Sequence, residues 1–201
     1  MGDQGGAGGQ ACPVRETADH EFRGSDEGGG GILDVGGYPV SFARLLAGAA
    51  AGRPFLDPIE VKGTAALHPQ TGVDVSAAAT LRFADGTIAQ VASGVGVPQE
   101  NEARVYGTRG WIFVAEPWKP APEGGGTTLV LHGDRGTVSE TIAVRADRGL
   151  YTYEADAFAS AVRAGRSEVP AMTVADTLAN MAALDAWRVS AGVVYDAERR
   201  S

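Results

Sequence analysis

Cysteine is almost missing from this 201-residue chain. The single one, Cys12, has no partner for an internal disulfide, which excludes a disulfide framework and makes a reducing, cytoplasmic setting the default. Histidine is also scarce: His20, His68 and His132 stand far apart, with no carboxylate or second histidine at ligand spacing, so no metal site is read from them. Basic residues are outnumbered 25 to 17, giving a net charge of −8 and a pI near 4.9. That balance argues against a nucleic acid or an anionic membrane as partner, because both select a basic face. No apolar run approaches the length of a bilayer span. The start MGDQGGAGG offers no basic segment followed by an apolar one, so no signal peptide is read, and Gly6 stands where a myristoylation pattern needs Ser or Thr. Lysine is limited to Lys62 and Lys119, and the arginine bias together with abundant Gly and Ala suggests a GC-rich bacterial source.

What is present is the composition of one globular domain, 44% hydrophobic and 21% charged. The first 31 residues hold 10 of the 29 glycines and show no periodicity, so residues 1–27 are read as a glycine-rich flexible lead and 28–201 as the folded unit. Within the lead, Gly6-Ala7-Gly8-Gly9-Gln10-Ala11 is the nearest approach to a dinucleotide fingerprint. Such a fingerprint needs a hydrophobic strand before it, and only Met1 to Gly5 precede it here, so it is not read as a nucleotide site.

The middle of the chain has the period of two that marks half-buried strands. Ile59, Val61, Ala65 and Leu67 alternate with Glu60, Lys62 and Thr64, and the pattern continues from Val73 to Phe83. Asp85-Gly86 predicts a two-residue hairpin turn pairing Phe83 with Ile88, and the stretch Gly133 to Gly136 predicts a second hairpin. The first register places Thr80, Ala78, Val91, Ser93 and Val95 on one face, small and half apolar. A sheet face without clear polarity suggests a cover, and the same face of a second subunit is the commonest one. Two amphipathic helices close the chain. One buries Tyr153, Ala157, Phe158, Ala161 and Val162; the other buries Val174, Leu178, Met181 and Leu184, with Thr173 and Asp176 as a capping pair. Glu154, Asp156 and Asp185 are read as solvated or capping charges.

The segment Gly28 to Gly48, GGGGILDVGGYPVSFARLLAG, carries the candidate chemistry. On a helix, Asp34 and Tyr38 at i and i+4 share a face. A phenol beside a carboxylate can hold and protonate a substrate oxygen. Phenols ordinarily titrate near pH 10, so such a role at neutral pH calls for a nearby cation or a relay, and neither lysine is near Tyr38 in sequence. Pro39 implies either a helix that starts there or a kink. A kinked helix over about 32–47 is expected, since a start at Pro39 would dissolve the shared face. Trp118, between Pro117 and Pro120, rides a rigid loop from which an amphipathic ring can line a sugar or aromatic pocket.

GGGGILDVGGYPVSFARLLAG resembles the helix that opens the C-terminal domain of the glucose-fructose oxidoreductase and inositol dehydrogenase (Gfo/Idh/MocA) family. The runs VYGTRGWIFV at 105–114, YTYEADAFASAVRAGR at 151–166 and LDAWRVSAGVVYDAER at 184–199 resemble it too, so that the likeness covers roughly residues 18–199. Tyr38 matches the tyrosine of the sugar and dihydrodiol dehydrogenase branch, and Asp34 matches the aspartate one turn earlier. The resemblance implies an α+β fold, with a large, open, predominantly antiparallel sheet, helices packed on one face and the other face available for oligomerisation. It further implies NAD or NADP, held by an N-terminal Rossmann domain whose Glu-Lys-Pro motif supplies a catalytic lysine.

Neither that domain nor that motif is read in this sequence. Glu116-Pro117-Trp118-Lys119-Pro120 echoes Glu-Lys-Pro only superficially and falls in the wrong half of the fold. The expectation is therefore the substrate-binding and oligomerisation half of an NAD(P)-dependent oxidoreductase acting on a sugar, polyol or related diol. Its catalytic pair would be Tyr38 and Asp34, Trp118 would face substrate, and a Rossmann domain would come from elsewhere. A noncatalytic oligomerising or sugar-binding module and a truncated reading frame remain open alternatives.

Overall fold

The computed structural model describes residues 29–133, 137–195 and 198. The glycine-rich lead, Gly6 to Ala11, Cys12, His20 and residues 134–136 of the second expected hairpin lie outside them. Among the described residues, four helices and seven strands run in the order α1 (Gly31–Asp34), α2 (Gly37–Ala50), β1 (Pro58–Leu67), β2 (Asp74–Phe83), β3 (Ile88–Gly94), β4 (Glu102–Gly107), β5 (Gly110–Ala115), β6 (Gly125–His132), β7 (Val138–Ala146), α3 (Leu150–Arg163) and α4 (Val174–Ala191). Helices and antiparallel strands are segregated along the chain, which makes the fold α+β. The sheet comes as two hydrogen-bonded ladders, β1-β2-β3 and β4-β5-β6-β7. Among the described residues no helix is long and apolar enough to cross a membrane.

The expected kink near Pro39 is a full break, and glycine makes it. Val35 and Gly36 both donate to the Gly31 carbonyl, at 3.1 and 2.9 Å, closing α1 after one turn. A Cβ on Gly36 would lie 2.4 Å from the Ile32 carbonyl oxygen, so only glycine passes there. Pro39 then falls in the first turn of α2, where its missing N–H costs nothing because first-turn amides have no acceptor within the helix.

The first hairpin corrects the sequence reading. Phe83 N–H donates to Thr87 O at 2.9 Å, leaving the three-residue loop Ala84-Asp85-Gly86, with Gly86 at φ +90°. The Asp85 carboxylate fixes this loop by accepting from Thr87 N at 3.0 Å and Thr87 Oγ1 at 2.9 Å. Arg82, not Phe83, therefore pairs with Ile88. A one-residue slip turns every side chain over. Val91 and Ser93 join Ala77, Ala79, Leu81 and Phe83 on the buried face, while Ala78, Thr80, Arg82, Gln90 and Ala92 form the outer one.

The core lies between the inner face of β1-β2-β3 and helices α1, α2 and α4, with Ile32, Val40, Ala47, Leu81, Phe83, Leu184 and Trp187 nearly inaccessible. Trp187 rests on β1 at Gly63, where a Cβ would come within 2.4 Å of the indole Cδ1. Arg44 is buried, pairs with Asp57 at 2.7 Å and donates to the Asp176 carbonyl at 3.2 Å, tying α2 to α4. Thr173 caps α4 as the sequence indicates, accepting from Asp176 N at 3.2 Å, and Gly192 ends it at φ +71°.

The expected apolar stripes of the last two helices are largely uncovered. In α3 only Ala161 is buried, and Phe158 is 64% exposed; in α4 Val174, Leu178 and Met181 face outward, whereas Ala183, Leu184 and Trp187 face the core. The periodicity is real but belongs to surface stripes opposite or beside the packed ones.

A buried clasp joins the two ends of the described chain. Asp74, fully buried, accepts from Ile32 N at 2.7 Å and from the Tyr195 hydroxyl at 2.9 Å, and the same hydroxyl oxygen accepts from Gly30 N at 3.3 Å. Burial, and then the Asp74 carboxylate, push the Tyr195 phenol up to about 12.

These contacts set two expectations for stability. Gly63→Ala forces the indole off its seat and should lower unfolding free energy by about 1–3 kcal/mol, read by denaturant titration. Tyr195 keeps its proton in the fold after an unfolded phenol, near pH 10, has lost it, so its contribution is full below that value and disappears as pH rises through about 12. Alkaline unfolding between those pH values should therefore be steeper in the native protein than in Tyr195→Phe.

Candidate substrate site

Asp34 ends α1 and Tyr38 is the second residue of α2, so the two candidate residues flank the glycine break rather than sharing one helix. Both still line one cavity of about 510 Å³, together with Phe42, Phe55, Trp118, Met172 and Asn180. Tyr38 is 55% exposed. No hydrogen bond joins it to Asp34 among the described residues, and the pair converges on shared space rather than on each other.

Trp118 is brought to the same place. Its ring centroid lies 6.2 Å from that of Tyr38 and 5.6 Å from that of Phe42, edge-on at 90° to the latter. The loop that carries it holds two non-glycine residues in left-handed backbone, Glu116 at φ +52° and Ala121 at φ +47°. Conformations of this kind persist only where surrounding structure imposes them, and they gather at functional sites. Tyr38, Phe42 and Trp118 also border a longer cleft of about 980 Å³ between the free edges of β3 and β4. Lys119 lines that cleft too and makes no ion pair among the described residues, whereas Lys62 pairs with Glu60 at 2.9 Å. Arg104, on the same wall, is engaged by Glu102 and lies over the Phe113 ring.

Asn180 is a site residue that the sequence pattern does not single out. Its Nδ2 donates to the Gly37 carbonyl at 3.3 Å, bracing the start of α2, and its Oδ1 is buried without a partner. A buried acceptor left unpaired is costly unless something supplies a donor, and Asn180 is among the residues lining the cavity of Asp34 and Tyr38. The available signal is a polar residue on the packed face of α4, one turn before Ala183 and Leu184. Of the two described histidines, His68 Nδ1 accepts from Gln70 N at 3.4 Å and Thr71 N at 3.3 Å, and His132 stacks on Trp111 at 3.7 Å. Among the described residues no group of three metal-ligating side chains forms.

A dinucleotide needs a parallel strand–turn–helix unit to cradle its pyrophosphate. Every strand pair among the described residues is antiparallel, so these residues do not fit that cofactor.

Residues 7–113 match the family model of the GFO/IDH/MocA C-terminal domain. The chain belongs to the Gfo/Idh/MocA family. It is 25% identical over 179 residues to mouse trans-1,2-dihydrobenzene-1,2-diol dehydrogenase, covering 87% of this chain and 50% of that protein. It is 31% identical to an NADP(+) D-xylose 1-dehydrogenase of Haloferax volcanii, covering 80% of this chain and 45% of that protein. A 3-ketoreductase from Actinomadura kijaniata, solved with NADP and TDP-benzene, superposes with a TM-score of 0.69 at 26% identity, over 83% of this chain and 47% of that one. The chain thus spans about half the length of the curated relatives it matches, and the Gfo/Idh/MocA part it represents is the C-terminal domain.

Asn180→Leu removes the unpaired acceptor together with one neutral hydrogen bond. Stability should change by no more than about 1 kcal/mol in thermal or denaturant unfolding, which separates its effect on the cavity from any effect on the fold.

Proposed function

We propose that this Gfo/Idh/MocA domain is the substrate-binding and oligomerisation half of an NAD(P)-dependent oxidoreductase acting on a sugar, polyol or related diol in the cytoplasm. The observation that carries the reading is the convergence of Asp34, Tyr38 and Asn180 on one cavity walled by Phe42 and Trp118. The Tyr38 phenol holds a proton at the substrate oxygen, Asp34 orients the hydroxyl-bearing carbon, Asn180 accepts from a second hydroxyl, and Trp118 covers an apolar ring face. Hydride exchange belongs to a nicotinamide on a Rossmann domain, in the same polypeptide or a separate one, which also brings the lysine that Tyr38 lacks.

The relatives' names and lengths support this reading: they include a diol dehydrogenase and a xylose dehydrogenase, each about twice the matched length. So do the uncovered stripes of α3 and α4, with Phe158 and Leu178 64% and 65% exposed, since an amphipathic helix draws most of its stability from a packing partner. The exposed Ile142 and Val144 of β7 support self-association through the second ladder, whereas the outer face of β1-β2-β3 carries the ion-paired Glu60, Lys62 and Arg82. One observation favours a second reading, a noncatalytic binding module: the described residues form a pocket but no nucleotide cradle.

Tyr38→Phe, measured in the protein complemented with a nucleotide-binding domain, should lower turnover by roughly 10²- to 10⁴-fold, the usual worth of a general acid or base. Intact turnover would overturn the role given to Tyr38. Retention of sugar or diol binding by the chain alone, with no gain of turnover from any nucleotide-binding domain, would select the binding module.

A further inference from the structure

We propose that Asp74 and Tyr195 are a positioning pair that sets how Asp34 and Tyr38 are presented, acting through the single turn α1. The catalytic part of this inference rests on the function proposed above; the geometric part does not.

A four-residue helix cannot hold itself in water, because forming the first turn fixes several dihedrals for a single hydrogen bond. The residue preceding α1, Gly30, offers no side chain to cap it. The cap comes instead from β2, where Asp74 Oδ2 takes the Ile32 amide at 2.7 Å across 42 residues of sequence. Asp74 Oδ1 takes the Tyr195 hydroxyl at 2.9 Å, and that hydroxyl oxygen takes Gly30 N at 3.3 Å, across 165 residues. The clasp is close enough that a Cβ on Gly30 would lie 1.7 Å from Asp74 Oδ1. Tyr195 is itself held: Arg188 lies 4.8 Å from its ring centroid, and Glu198 and Asp185 fix Arg188 at 2.8 and 3.2 Å.

Asp74 is a wholly buried carboxylate with no ion pair among the described residues. Burying such a group is a poor way to gain stability and a good way to fix one geometry, because its directed bonds leave the turn a single seat. That seat governs the residues immediately C-terminal to it. Asp34 is the last residue of α1, the break at Val35 and Gly36 is two residues long, and Tyr38 comes on the first turn of α2. An error in the direction of α1 is passed directly to both side chains. Asn180, by donating to the Gly37 carbonyl, supports the other side of the break.

Tyr195→Phe removes one oxygen and keeps the ring. In hydrogen exchange of the chain itself, monitored by mass spectrometry, residues 30–38 should exchange at least about tenfold faster, since the hydrogen bonds to Asp74 and from Gly30 are both lost, while β2 and β3 stay protected. Unchanged exchange in 30–38 would overturn the pairing. In the protein complemented with its nucleotide-binding domain, kcat should fall with KM held, and Tyr195→Phe combined with Tyr38→Phe should lose no more than Tyr38→Phe alone. Fully additive losses would instead mean that Tyr195 is structural and does not act through Tyr38. If Tyr38→Phe alone leaves turnover intact, the proposed function fails and the exchange measurement still decides the positioning claim. Asp74→Asn, which keeps the shape, should repeat the exchange result.

Discussion

The seat of Trp187 on β1 at Gly63 is the contact on which the rest of the molecule depends. It fixes α4 against the three-stranded ladder, and α4 then distributes that position. Toward its N-terminus it presents Asn180 to the start of α2 and the Asp176 carbonyl to Arg44. Beyond its C-terminus it delivers Tyr195 to Asp74. Both supports of the segment bearing Asp34 and Tyr38 therefore descend from one helix, whose placement rests on an aromatic ring meeting bare backbone. Apolar burial supplies the driving force, and the hydrogen bonds choose the geometry.

The site sits where two kinds of surface meet. On one side the cavity shared by Asp34, Tyr38 and Asn180 is walled by Phe42, Phe55, Trp118 and Met172, so polar groups act against an apolar background. On the other, the cleft between β3 and β4 carries Gln90, Gln99, Asn101 and Lys119 beside the strand edges. Tyr38, Phe42 and Trp118 divide the two. Under the proposed function, a ligand with one apolar face and several hydroxyls, the general form of a sugar or cyclic diol, would meet complementary chemistry on both sides of that partition.

Local chemistry is legible in the sequence and long-range geometry is not. Thr173 with Asp176 announces the start of α4, the period-two runs announce the strands of the first ladder, and Asp34, Tyr38 and Trp118, singled out in the sequence, line one cavity. The hairpin register departs from the expected one because Asp85 and Thr87 bond each other across the turn and enlarge it by one residue, a choice that a two-letter turn signal does not carry. Pro39 draws attention as the breaker of the first helix, whereas the close passage of Gly36 over Ile32 makes the break. Asp74 and Tyr195 leave no mark in the pattern because each acts on a partner far away in the chain, and Asn180 shows only as a polar residue on the packed face of α4. The helical stripes of α3 and α4 are apolar as expected but not interior, since periodicity tells which side of a helix avoids water and not whether this domain covers it.

The left-handed residues at Glu116 and Ala121 bear on how such a site changes over evolutionary time. A ring exchanged at position 118 alters one contact. A change of backbone preference at 116 or 121 re-aims the whole loop, carrying Trp118 and Lys119 together across the partition between the two spaces. Under the proposed function, substrate preference would thus drift through residues that touch no substrate, by altering the bend of the support rather than the chemistry of the wall.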